Sequence, residues 1–317
     1  MTMWNKRFWA NALIILLLIA CLGGCSAPAE SPAEGGIVFT DALDRQVRLP
    51  APPKRVAALL GSFADIWMLA GGAICAAAED AWEDFGLELP DAVNLGGAHS
   101  PSAEALLAAE PDFVLASAST ASNVALLELL EQAGIAVAYF DVDNFEDYLA
   151  MLKLCTAITD RADLYAQNGT RLQAQIEAIR EQVNSAALSQ KERTVLLLRA
   201  SSGSVKAKGS EGTVLGEMLA DLGCINIADS DQTLLETLSA EAVMKQEPHR
   251  IFVVSMGDEQ KAAESLARMM AENPAWGSLE AVKQHRLHLM DRKLFNLKPN
   301  AKWATSYEQL SKLLLAN

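Results

Sequence analysis

Histidine is scarce in this chain, 4 in 317 residues, and so is positive charge: 26 Lys and Arg face 40 Asp and Glu, for a formal net charge of −14. That balance argues against a nucleic-acid binder, whose footprint is basic. So few imidazoles weigh against a site that holds bare zinc or manganese through several His and carboxylates. No apolar run reaches the length of roughly 18 residues that a membrane-spanning helix needs. Aromatic residues make up only 6%, and an Ala-, Leu-, Glu- and Asp-rich composition suits α/β layers better than an all-β sandwich. Catalytic signatures are missing as well: there is no nucleophile elbow, no Walker A loop, no G-x-G-x-x-G after a strand and no H-E-x-x-H. Ser62, just after an apolar run, could open a hydrolase reading, but no histidine stands in a triad order around it. The chain does not read as an enzyme.

What is present begins with an address. Lys6 and Arg7 precede an apolar stretch from Ala12 to Leu22, the length of a signal-peptide core. The stretch runs into Leu22-Gly23-Gly24-Cys25, which looks like a bacterial lipobox. On this reading residues 1–24 are a lipoprotein leader and Cys25 becomes a lipidated N-terminus. Residues 25–36, rich in Pro, Ala and Gly, are a flexible tether. Loss of Lys6 and Arg7 takes the formal charge from −14 to −16. The other cysteines of the mature chain, Cys75, Cys155 and Cys224, sit in apolar stretches without C-x-x-C spacing and read as free buried thiols.

An internal repeat organises the remainder, and a length of 317 residues already suggests two domains. Ser102-Ala-Glu-Ala-Leu-Leu-Ala-Ala-Glu-Pro111 recurs as Ser239-Ala-Glu-Ala-Val-Met-Lys-Gln-Glu-Pro248, 137 residues later, with six of ten positions identical. In each copy Ser caps a short helix, Glu sits in its first turn and Pro stops it before an apolar strand. Ahead of each copy lies a continuous apolar run, Arg55–Leu60 and Arg193–Leu198, that leads into a helical pattern. Such runs describe parallel strands covered on both faces. Between the halves, Leu164, Leu172, Ile176, Ile179 and Val183 form one helical stripe. Thr159 or Asp160 would cap its start and Asn184-Ser185 would close it. The fold expected is therefore α/β: two Rossmann-like lobes with parallel sheets, residues 37–159 and 186–317, joined by a long rigid helix over 160–185. A rod of that kind permits only modest lobe movement.

In order and spacing, the pieces resemble a family. Thr40–Pro50 with Pro53-Lys-Arg-Val56, Gly97-Ala-His-Ser-Pro-Ser-Ala-Glu104 through Glu110-Pro-Asp112, Leu222–Ala228, and Asn273-Pro-Ala-Trp276 with Leu279–Val282 and the strand Arg286–Met290 together look like a substrate-binding lipoprotein of an ABC importer. The class is the one that serves ferric siderophores, haem and cobalamin, and the resemblance covers nearly all of the mature chain. It implies a monomeric receptor outside the cytoplasm, held to the bacterial membrane only through lipidated Cys25. It would have no intrinsic cofactor, would capture a ferric chelate, and would pass it to a permease dimer with its ATPase. It also implies that Glu104 and Glu241, the repeat-related pair, meet arginines of the two-fold symmetric permease. A lipid-anchored sensor not coupled to transport is the alternative.

The ligand is expected between the lobes, at the carboxyl ends of the parallel strands. The N-terminal lobe offers Ser62, Phe63, His99, Ser100, Ser119 and Thr120. The C-terminal lobe offers Arg199, Ser201, Ser202, Lys206, Lys208, Met256, Phe295 and Lys298. Arg199, Lys206 and Lys208 form a basic cluster, to which Lys298 would add, suited to an anionic chelate. Haem would need an axial ligand, for which His99 and Met256 are the candidates. His285 and His288 flank the start of a strand and do not share a helical face, and His249 reads as structural.

Overall fold

The computed structural model describes residues 36–316, so the leader, Cys25 and most of the tether lie outside the described residues. A hairpin of β1 (Ile37–Thr40) and β2 (Gln46–Leu49) opens the chain. The N-terminal lobe then lays down β3 (Val56–Ala58), β4 (Ile74–Ala77), β5 (Val93–Asn94), β6 (Phe113–Ser117) and β7 (Ala136–Phe140), all parallel, in the order β5-β4-β3-β6-β7. The C-terminal lobe has β8 (Thr194–Ala200), β9 (Val205–Ala207), β10 (Ile225–Asn226), β11 (Arg250–Ser255) and β12 (Leu287–Met290). Here β10-β8-β11-β12 run parallel, and β9 folds back antiparallel on β8. The strand order therefore reverses between β3 and β6 and again between β8 and β11. Those two gaps are the switch points where open parallel sheets leave a crevice.

The repeat holds down to backbone angles. Ser102 Oγ accepts from the Ala105 N–H at 3.2 Å, and Ser239 Oγ accepts from the Ala242 N–H at 3.3 Å. Both short helices, Ala103–Ala108 and Ala240–Gln246, end with a glutamate in the left-handed region, Glu110 at φ 46° and Glu247 at φ 47°. The following Pro disfavours the α region at the residue before it, and a left-handed residue ends the helix with its carbonyls bonded.

Strand periodicity sorts the core into three layers. In β8, Leu196 and Leu198 face a cluster private to the C-terminal lobe, while Val195 and Leu197 face the other way. That second face shares one continuous core with Ala58, Phe113 and Leu115 of the N-terminal sheet. The shared core is built around Trp303, fully buried, whose ring lies 5.9 Å from Phe145 and 6.5 Å from both Tyr148 and Tyr307. Leu172, Ile176 and Val183 of the connecting helix are buried in it.

The connecting segment is helical from Ala162 to Ser185, about 36 Å at 1.5 Å per residue. It departs from the expected uninterrupted α-helix in one place: residues Ala166–Thr170 form a π turn. Leu164, expected on the same stripe, precedes this turn and is only half-buried, outside the shared core that takes Leu172, Ile176 and Val183. The turn is anchored where it loosens: Asn168 donates from its side chain to the Leu69 carbonyl at 2.9 Å, and its own carbonyl accepts from Tyr148 Oη at 2.9 Å. Neither expected cap is used. Thr159 spends its hydroxyl on the Ala70 carbonyl at 2.6 Å, and the N-cap position falls on Arg161 with no side-chain bond.

The chain's last 25 or so residues tie the lobes together a second time. Asn300, fully buried, donates its amide to the Ser62 carbonyl at 2.9 Å and to Asp65 Oδ2 at 2.8 Å. Arg180 on the connecting helix bridges Glu146 of one lobe and Asp221 of the other, and Tyr307 Oη donates to the same Asp221 at 2.6 Å. Because both lobes share the Trp303 core, they should unfold in one transition. Trp303→Ala is expected to lower the unfolding free energy by about 3–5 kcal/mol with a single transition retained in denaturant titrations. Two separated transitions in the parent protein would contradict a shared core.

Candidate functional site

Strand ends from both lobes converge on one cleft. After β3 the chain turns at Gly61, whose N–H donates to Asp80 Oδ2 at 2.9 Å. A Cβ there would lie 2.5 Å from the Ala81 nitrogen, so only glycine lets this turn seat against the 80–83 helix. The turn presents Leu60 and the buried Ser62 to the cleft. After β6, Asn123 Oδ1 accepts from the Ser117 N–H at 3.0 Å, and the hydroxyls of Ser117, Ser119 and Thr120 form a connected group with 3.1 Å spacings. The opposite wall comes from Arg199 near the end of β8, Thr213, Met256 after β11, and the segment from Arg292 to Lys298. The enclosed space is about 410 Å³. A larger hollow, about 490 Å³, lies wholly inside the C-terminal lobe against the Glu259–Glu272 helix. Its walls, Val253, Ala262 and Leu266, belong to that lobe's core, and Glu259, Asp291 and Lys293 stand at its edge.

The cleft's charges mostly cancel in pairs. Arg292 forks onto Asp84 across the gap, one arm at 2.8 Å, with both side chains largely shielded from solvent. Burial pushes the Lys298 ammonium down, and Asp143, Asp141 and Asp147 pull it back. Burial likewise pushes the Asp143 carboxyl up against the attraction of Lys298. Arg199 is different: burial lowers it, no carboxylate offsets that, and its Nε is buried without a partner. Lys208 is pushed down by burial and then by Arg199 and Lys206. On the facing wall burial raises the Asp80 carboxyl, the Gly61 N–H opposes this and Asp84 adds to it; Asp80 Oδ1 has no partner.

Of the residues expected at the ligand, Ser62, His99, Ser119, Thr120, Arg199, Met256 and Lys298 line the cleft. Lys208 shares an adjoining hollow with Arg199. Lys298 does not join the Arg199 cluster; it faces the Asp143 group instead. Phe63 and Phe295 are corrections: both are buried in the shared core, Phe63 edge-on to Phe140 at 6.0 Å, because the first turn of each helix points its large apolar side chain inward. Ser201 closes the β8–β9 hairpin by donating to the Ser204 carbonyl at 3.1 Å, and Ser202 and Ser100 are exposed outside the cleft. Lys206 is exposed on β9, directly across from Arg199 in the antiparallel register. Glu104 and Glu241 are both exposed in the first turns of their helices.

Sequence reasoning passed over Asp80, Asp84, Phe85, Thr213, Asp143 and Arg292, all in the cleft wall. Asp80 and Asp84 follow β4, whose short Ile-Cys-Ala-Ala run carries little strand signal. Arg292 directly follows β12, so the strand-end rule that placed Lys298 would have found it. Among the described residues no three His, Cys, Asp or Glu side chains are grouped to hold a metal ion, and no helix is long and apolar enough to cross a membrane. His288 stacks on Phe252 at 5.4 Å. The three remaining thiols are unpaired, with Cys155 and Cys224 both pushed up to about 12 by burial.

Residues 56–294 match the family described as Periplasmic binding protein. The chain belongs to that family. This is a family of binding proteins and not of enzymes. Solved structures share the fold of this binding protein at low identity. The Staphylococcus aureus protein SirA, described as complexed with staphyloferrin B, is 18% identical, with a TM-score of 0.66, over 87% of this chain and 96% of its own. BauB, described as a siderophore binding protein bound to two molecules of acinetobactin and ferric iron, is 19% identical, with a TM-score of 0.70, over 89% of this chain and 100% of its own. A periplasmic heme binding protein from Pseudomonas aeruginosa is 20% identical, with a TM-score of 0.68, over 83% and 93%. No curated protein sequence matches this binding protein.

Proposed function

We propose that this protein is the extracytoplasmic solute-binding component of an ABC importer and that it captures a ferric chelate in the cleft between its lobes. The observation that carries the reading is Arg199: a shielded guanidinium at a strand end, flanked by Lys208 and free of any carboxylate, in a protein with a net charge of −14. A cation so placed is a standing attraction for an anionic or oxygen-rich ligand. The ligands in the descriptions of SirA and BauB, staphyloferrin B and ferric acinetobactin, are of this kind. A haem ligand is the second reading, favoured by His99 and Met256 facing the same cleft from opposite walls, the latter 50% exposed.

Delivery would follow from the repeat. Glu104 and Glu241 stand exposed at equivalent first turns of the two lobes, a geometry that suits a two-fold partner presenting arginines. Lipidation at Cys25 would keep the loaded protein near such a permease.

In a titration of the chain from Ser26 onward, Trp67, Trp82, Trp276 and Trp303 report binding by fluorescence. Saturable quenching by a ferric hydroxamate, ferric catecholate or ferric carboxylate chelate is expected, with Arg199→Gln weakening it about tenfold or more. A shifted Soret band with haem would favour the second reading, and no response to any chelate or to haem would sink the receptor reading. Reversing both docking glutamates (Glu104→Lys with Glu241→Lys) is expected to abolish uptake in cells while leaving chelate affinity intact; normal uptake would sink the docking role.

A further inference from the structure

The cleft has a sign on each wall. Two of its cations already face carboxylates: Arg292 is paired with Asp84, and Lys298 faces Asp143 with Asp141 and Asp147 beyond it. What remains on the C-terminal wall is Arg199, with Lys208 behind it in the adjoining hollow, and on the N-terminal wall it is Asp80. Asp80 Oδ2 accepts the Gly61 N–H, whereas Asp80 Oδ1 is buried with no partner, as is Arg199 Nε across the gap. Arg292 lies within electrostatic reach of Asp80, but its two terminal nitrogens are already spent on Asp84. Two carboxylates therefore share one guanidinium, and that wall keeps one negative charge in excess. His99, nearby, is exposed and makes no bond to Asp80.

A ligand that fills this space desolvates both walls at once. A uniformly anionic chelate would satisfy Arg199 and be repelled by Asp80, and a neutral one would leave a shielded carboxylate without a partner, which is costly. Both walls are satisfied only by a ligand that carries opposite character at its two ends. Resting on the reading of the cleft as a chelate site, we propose that the ligand is a dipolar chelate, with an oxygen-rich, electron-dense edge on Arg199 and Lys208 and an ammonium or comparable cationic N–H donor on Asp80. Asp80 is then the residue that selects for a cationic appendage.

The test uses the purified full-length protein and two matched pairs of probes: a ferric tris-hydroxamate and a ferric tris-catecholate, each with a pendant primary amine or with that amine acetylated. Acetylation removes the charge and leaves the iron centre alone. In whichever pair binds, the amine-bearing chelate is expected to bind about tenfold tighter or better. Asp80→Asn, which keeps an acceptor for the Gly61 N–H, is expected to erase that gap by weakening only the amine-bearing probe. Equal or tighter binding of the acetylated chelate, or a gap that survives in Asp80→Asn, would overturn the dipolar ligand and leave the chelate site standing. Failure of all four probes to bind would overturn the chelate reading and this inference with it.

Discussion

The burial of Trp303 between the lobes is the contact on which the rest depends. Its ring packs beside Phe145, Tyr148 and Tyr307, in a core that runs unbroken from the face of one sheet to the face of the next. Two lobes that each owned a separate core could swing freely about a linker. Here a swing would open apolar surface, stretch the Asn300 bonds to Ser62 and Asp65, and part Arg180 from Glu146 or Asp221. These contacts resist such a swing, so lobe movement on binding is expected to be modest. Recognition then rests mainly on charge and shape already in place.

Walls that move little would make the charge pattern consequential. A flexible cleft could pair Arg199 with some nearby carboxylate when empty and release it when loaded. In this one Asp84 is held by Arg292, Asp143 faces Lys298, and no carboxylate offsets Arg199. Holding a shielded guanidinium without a counter-charge costs stability, and functional sites are where such costs are tolerated. The hydroxyl group of Ser117, Ser119 and Thr120 adds neutral donors and acceptors that can adapt to a ligand's shape without adding charge.

Much of the architecture was legible because the sequence states it twice. Ser102 and Ser239 cap, Glu104 and Glu241 follow, Pro111 and Pro248 stop, and the two copies match down to left-handed glutamates. The apolar runs at β3 and β8 gave the sheets, and the stripe from Leu172 to Val183 gave the connecting helix. The site was only partly legible. Arg199, Ser62 and Met256 lie at or just past the ends of continuous apolar runs in the sequence, Val195–Leu198, Val56–Leu60 and Ile251–Val254, so the strand-end rule reached them. Asp80 follows the Ile-Cys-Ala-Ala run of β4, which carries little strand signal. Phe63 shows the limit of the rule in the other direction: a residue can follow a strand end and still point into the core. The π turn at Ala166–Thr170 was not legible, because it is anchored by Tyr148 and the Leu69 carbonyl, contacts that no local pattern carries.

The most direct test of the account is where the iron sits. Crystals of the protein loaded with a ferric chelate, measured at the iron absorption edge, would give an anomalous map with one strong peak. The account predicts that peak in the cleft between Arg199 and Asp80, with the lobes in the same relative position as without ligand. A peak in the hollow lined by Ala262 and Leu266, or on the outer surface, or lobes swung apart around an iron in the cleft, would contradict it.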